Sequence, residues 1–197
     1  MQGNGELMRQ FAGVAWIDGS VRIAGKVEIG EGSSVWPFSV IRAEGRFVKI
    51  GRFTNLQDHT IVHVGRAGTT VGDYCSITHR VTLHGCTIED NCLIGINVTI
   101  MDGSVIGANS IVAGHSFVRE GTIIPPNSIV MGTPAKVVRT ANNFVANRMN
   151  AWSYYWNARS YARGDFRGWD SVEFTTARAA ERERLEAEFA RTTAAAS

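Results

Sequence analysis

Residues 88–130 read IEDNCLIGINVTIMDGSVIGANSIVAGHSFVREGTIIPPNSIV, and every sixth position is aliphatic: Ile88, Ile94, Ile100, Ile106, Val112, Val118, Ile124 and Val130. Toward the N-terminus the series continues, with one residue dropped, through Leu83, Ile77 and Val71. Across two short insertions it runs on through Val62, Leu56 and Ile50, then Ile41, Val35, Ile29, Ile23 and Ile17. All nineteen positions are Ile, Val or Leu, and Gly often follows directly, as at Gly30, Gly51, Gly72, Gly95 and Gly107. A helix would repeat its apolar residues at i, i+3, i+4 and i+7, and these do not. Hexapeptide repeats build parallel β-helices. Each hexad forms one side of a triangular coil, with its aliphatic residue inward and small residues or Asn at the corners. Successive turns then stack at roughly 4.8 Å, the spacing of paired strands. The expected fold is all-β, a parallel β-helix over residues 12–139.

From about Thr140 the pattern changes. Pro134 reads as the stop of the coil. Val145, Met149, Trp152 and Trp156 recur at i, i+4, i+7 and i+11, an apolar helix stripe. This aromatic helix is expected to pack along the coil or on a neighbouring subunit. Arg167 to Asp170 read as a connector to a second helix in AAERERLEAEFARTTAAAS, residues 179–197, frayed at its end. Residues 140–197 are thus expected to be a C-terminal α-helical extension.

Composition narrows the function classes. With 44% hydrophobic residues the chain can bury a substantial core, while 19% charged residues and 21 Gly favour a turn-rich β fold over a helical bundle. A net charge of +2 makes no case for nucleic acid or a membrane surface. No apolar run is long enough to span a bilayer, and the opening MQGNGELMRQ lacks a signal-peptide core. Three cysteines without disulfide-like spacing suit a reducing cytoplasm, the expected location. Cys75 and Cys92 stand at the fifth position of hexads three steps apart and read as small inward core residues; Cys86 reads as turn packing.

The repeat converts the histidines into coordinates. Three hexads make a turn, so Ile41, Val62 and Leu83 recur on one side of the triangle. The polar residue after each, Arg42, His63 and His84, should therefore stack in one column. Backbones roughly 4.8 Å apart need only modest side-chain leaning to bring ring nitrogens to the ~3.3 Å that follows from Zn–N bonds of ~2.0–2.1 Å. His79 lies in the preceding hexad, on another side, as much as roughly 16–18 Å from His84 along an extended chain. If it joins the other two, it does so from another copy of the chain, and flat-sided coils pack naturally around a threefold axis. His59 and His115 fit no such column.

The stretches Arg42-Ala43-Glu44, Asn55-Leu56-Gln57-Asp58 through His63, and His79-Arg80-Val81-Thr82-Leu83-His84-Gly85-Cys86 resemble the γ-class carbonic anhydrase family. Met131-Gly132-Thr133-Pro134-Ala135-Lys136 resembles the ending common to hexapeptide-repeat proteins. The resemblance implies a left-handed β-helix homotrimer with a divalent metal, zinc or else iron or cobalt, at each subunit interface, acting on carbon dioxide and bicarbonate. By it, His63 and His84 of one chain and His79 of its neighbour match the ligands. Gln57 matches the residue that orients metal-bound water or bicarbonate, and Arg42 and Asp58 match an ion pair between subunits. Arg42 could also steer an anionic substrate.

Three neutral imidazoles leave a coordination position open for water. A metal lowers the pKa of such water toward ~7, giving hydroxide that attacks carbon dioxide. Two departures from the family stand out. The loop Val64–Thr70 carries no carboxylate where relatives have proton-shuttling glutamates, and Glu44 stands where the family usually has Asp. Two other functions remain open: a hexapeptide acyltransferase with a coenzyme A thioester between coils, and a thioesterase-like or accessory metal-binding protein without hydratase activity.

Overall fold

Short strands, most of two or three residues, occur where the six-residue series places an aliphatic side chain inward. The computed structural model describes residues 10–194. Parallel pairing aligns Ile17, Val35, Leu56, Ile77, Ile94, Val112 and Val130 on one side of the coil. Ile23, Ile41, Val62, Leu83, Ile100 and Val118 align on the second. Ile29, Ile50, Val71, Ile88, Ile106 and Ile124 align on the third. These columns account for all nineteen positions, and all but Ile23 are buried. Ile23 sits in the first turn, with a strand beside it on one side only, and is partly buried against the core. The single five-residue step, Leu83 to Ile88, is taken up by Gly85 at φ +60°, backbone that other residues seldom adopt.

Asn occupies the corners as expected at Asn91, Asn97, Asn109 and Asn127, while larger side chains occupy the others. Phe38, His59, Arg80, Asn97 and His115 form one left-handed column, and Phe53, Tyr74, Asn91, Asn109 and Asn127 another, all with φ between 51° and 61°. His59 and His115 thus do share a column, at a corner away from His63 and His84 but directly after His79. A left-handed backbone is uncommon outside Gly, and contacts up each column help to offset it. Phe53 stacks on Tyr74 at 5.3 Å and Phe38 on His59 at 5.1 Å. Below them, Asn91 Nδ2 donates to Asn109 Oδ1 at 2.8 Å, and Asn109 Nδ2 to Asn127 Oδ1 at 3.2 Å.

The parallel coil ends at Pro134, where the chain turns back. Ala135–Thr140 runs back antiparallel to Ser128–Gly132. Helix α1, Phe144–Tyr161, follows, then a short 3-10 turn at Gly168–Asp170 and helix α2, Val172–Ala194. Helix α2 begins ahead of the expected Ala179 because Ser171 caps it, its Oγ accepting the Phe174 N–H at 3.0 Å. The fraying expected at the end falls on residues 195–197, outside the described residues, as does most of the N-terminal stretch.

Helix α1 has two working faces, and the sequence stripe found one. Trp152 and Trp156 meet Phe174 of α2 at 5.8 and 5.9 Å. The face on the coil is instead Asn147, Ala151, Tyr154, Ala158 and Tyr161. Tyr154 packs edge-on to Trp36 at 5.5 Å and Tyr161 to Trp16 at 5.1 Å, with Ala158 fully buried beside both tryptophans. The coil side under the helix presents buried Ser34, Asn55 and Ser76, which small and amide side chains fit better than large aliphatic ones. Among the described residues no helix is long and apolar enough to cross a membrane.

Candidate metal centre

The register places Arg42 opposite His63, and His63 opposite His84. Since Ile41, Val62 and Leu83 point inward, alternation turns the next residue of each strand outward. The two imidazoles stand with ring centroids 5.1 Å apart at 61°, both partly exposed. His79 lies on another part of the coil, just before the Arg80 corner. Among the described residues, no three His, Cys, Asp or Glu side chains of one chain could hold an ion together.

Each of the three histidines meets one carboxylate. His84 Nδ1 donates to Asp102 Oδ2 at 2.6 Å, and His79 Nδ1 to Asp58 Oδ2 at 2.9 Å. An ionised carboxylate only accepts, so these bonds place a proton on Nδ1, and in the neutral ring Nε2 then keeps its lone pair. His63 is different: its Nε2 lies 3.2 Å from Glu44 Oε2, while Glu44 Oε1 pairs with the Arg42 guanidinium. Glu44 is held below the ordinary carboxylate range by its own backbone N–H first, then by Arg42 and His63. Burial works against ionisation of Asp102, yet the bonds to His84 and from the Arg66 N–H outweigh it and hold the carboxyl below its ordinary value.

Within one chain Arg42 and Asp58 are not partners, since Arg42 pairs with Glu44 and Asp58 with His79. Gln57 lies off the histidine column, buried, with its Nε2 donating to Asn55 Oδ1 at 2.9 Å. Asn55 in turn donates to Ser76 Oγ at 3.0 Å. Cys75 and Cys92 point into the core, as the repeat position implied, and Cys86 is equally buried.

Asp102 is the residue that sequence reasoning missed. A signal for it existed: Ile100 pairs with Leu83, which brings the Met101-Asp102 step against His84 and Gly85. One turn beyond His84 the column position is Met101, and Asp102 is the next residue along.

A family model described as Bacterial transferase hexapeptide (six repeats) matches residues 85–120. The protein named Gamma carbonic anhydrase 2, mitochondrial, of Arabidopsis thaliana is 31% identical over 163 residues, covering 78% of this chain. The chain spans only 59% of that relative's length. A protein of Methanocaldococcus jannaschii named Probable carbonic anhydrase is 44% identical over 135 residues, 67% of this chain and 85% of its own. This chain belongs to the γ-carbonic anhydrase family. A solved structure of a hexapeptide transferase family protein from Anaplasma phagocytophilum superposes with a TM-score of 0.67 at 30% identity, over 74% of this chain and 91% of that one. The γ-carbonic anhydrase family therefore shares its coil with proteins named as transferases, and the histidine column has to carry the functional argument.

Proposed function

We propose that the protein is a metal-dependent carbonic anhydrase-like enzyme that hydrates carbon dioxide reversibly, with the ion held between copies of a homotrimer. His63 and His84 of one copy and His79 of the next would be the ligands. The observation behind this reading is the pairing of His63 with His84 on one outward column, 5.1 Å between rings, with His84 backed at Nδ1 by Asp102.

The donor set fits such an ion. Carboxylates at Nδ1 of His84 and His79 leave both Nε2 atoms available, the arrangement that orients imidazole ligands and raises their basicity. Three imidazoles suit zinc, iron and cobalt alike. Such an ion, when bound, supplies Lewis acidity and makes water a nucleophile near neutrality.

The chain's own residues do the rest. Asp102 and Asp58 keep the proton on Nδ1. Glu44 gives up its contact with His63 Nε2 when that atom becomes a ligand, and its carboxylate then stands free at the rim, still tied to Arg42. A carboxyl held below its ordinary value is a weak base at neutral pH, so Glu44 orients a proton donor more than it stores a proton. Arg42, in the same column, offers a guanidinium to bicarbonate. Gln57 donates one Nε2–H to Asn55, which leaves its second N–H and Oε1 to orient water.

The test is metal content together with carbon dioxide hydration, for wild type and His79→Ala. Wild type should purify with about one ion per chain, one site per interface of a cyclic trimer, and should hydrate; the variant should lose both. Metal without hydration would favour an accessory or thioesterase-like role. Absence of metal combined with acyl-coenzyme A binding would favour the transferase reading that the Anaplasma structure's name suggests.

A further inference from the structure

We propose that Asp102 is a positioning residue that selects the tautomer of His84 and, with the loop Val64–Thr70, clamps the strands of His63 and His84 at one fixed separation. This rests on the reading of those histidines as ligands. The Asp102 carboxylate bridges two partners: Oδ2 accepts from His84 Nδ1 at 2.6 Å, and Oδ1 accepts from the Arg66 backbone N–H at 3.1 Å. It is well enclosed, its side chain 17% exposed. Two glycines make the room. A Cβ on Gly65 would lie 1.6 Å from Asp102 Oδ1, and one on Gly85 2.2 Å from the same atom.

The far end of the loop closes the clamp. Thr69 Oγ1 donates to the His63 carbonyl at 2.6 Å and accepts the Gly85 N–H at 3.0 Å. Gly85 directly follows His84, so the loop touches both histidine strands through Thr69. It touches His84 again through Arg66 and Asp102. The loop that lacks the family's shuttle glutamates thus has a different task here: it fixes geometry.

Only a carboxylate satisfies this arrangement. Both partners of Asp102 are donors, and a carboxylate has two oxygens to accept them. Asn has one oxygen and one NH2. With the oxygen kept on Arg66, the NH2 must donate to His84 Nδ1, which moves the imidazole proton to Nε2 and removes the lone pair a metal would use. With the oxygen turned to His84, the NH2 confronts the Arg66 N–H and the loop is pushed away.

The experiment uses the full-length protein, freed of metal with a chelator, its histidines labelled with nitrogen-15, at a pH where imidazole is neutral. In wild type, His84 should carry its proton on Nδ1; in Asp102→Asn, on Nε2, or else the loop amide of Arg66 should lose hydrogen-exchange protection. Titration with cobalt(II), followed by visible absorption, should show affinity falling roughly 10–100-fold in Asp102→Asn, as for other supports of metal-ligating histidines. Gly65→Ala should lower it in the same direction, and the double variant should be no weaker than Asp102→Asn alone, because both changes act through one contact. A wild-type His84 with its proton on Nε2 would overturn the proposal without any variant. So would Asp102→Asn that keeps the Nδ1 proton, the loop protection and cobalt affinity within about twofold of wild type. If wild type binds no cobalt, the metal reading fails, and the tautomer and loop measurements still decide the role of Asp102.

Discussion

Two inactive variants, mixed, show whether the site belongs to one chain or to two. His79→Ala keeps the His63–His84 column, and His84→Ala keeps His79. In one chain the column rings stand 5.1 Å apart, while His79 is held elsewhere by Asp58 at 2.9 Å, and no three ligands of one chain converge among the described residues. On the proposed reading, every site would need its column from one copy and its His79 from the next. In a cyclic trimer assembled at random from equal amounts of the two variants, half the copies offer an intact column and half an intact His79. About one quarter of the interfaces therefore regain all three ligands, whereas each variant alone regains none. Wild type mixed equally with the double variant His79→Ala/His84→Ala sharpens the contrast: about one quarter of sites for a shared site, about one half for a site within one chain. The assay is metal per chain by mass spectrometry after co-refolding, with tagged chains to verify assortment. No recovery from the two single variants, or recovery of half the sites in the control, would refute the composite site.

Two further outcomes test the scaffold. Asn147 donates to the Asn91 carbonyl at 2.8 Å and to Ser110 O at 3.2 Å, in a buried position. Asn147→Ala should cost roughly 1–3 kcal/mol through the acceptors it leaves short and lower the urea midpoint; an unchanged midpoint would mean that α1 docks through its aromatic residues alone. All three thiols are buried, and burial pushes Cys86 up to about 12 and Cys75 well above its ordinary value. None should react with a maleimide at pH 8 in the native protein, because the thiolate is the nucleophile, and all three should react in denaturant. A thiol that reacts natively would show that the coil interior opens.

The coil and the histidine column were both readable in the sequence, for one reason. A parallel coil with three hexads per turn has a fixed relation between sequence separation and stacking, so locating Ile41, Val62 and Leu83 also locates Arg42, His63 and His84. Where the period breaks, that relation lapses. Residues Val64–Thr70 carry no inward aliphatic signal of the series, and their hold on Asp102, His63 and Gly85 emerged only from the folded loop. Helix α1 was visible as a periodic stripe, but periodicity cannot say which of two apolar partners a face will meet. The tryptophans Trp152 and Trp156 went to α2, and Asn147 and Ala158 to the coil.

The corner columns make the same point from the other side: left-handed φ at Phe38, His59 and Tyr74 is forced by turn geometry against residue preference, and contacts up each column support it. The sequence alone thus determined the rungs and the order of side chains along them, because backbone pairing repeats at a constant interval. Only the tertiary structure decided which carboxylate meets which imidazole, because those bonds depend on where side chains reach between rungs and on the space that Gly65 and Gly85 leave open.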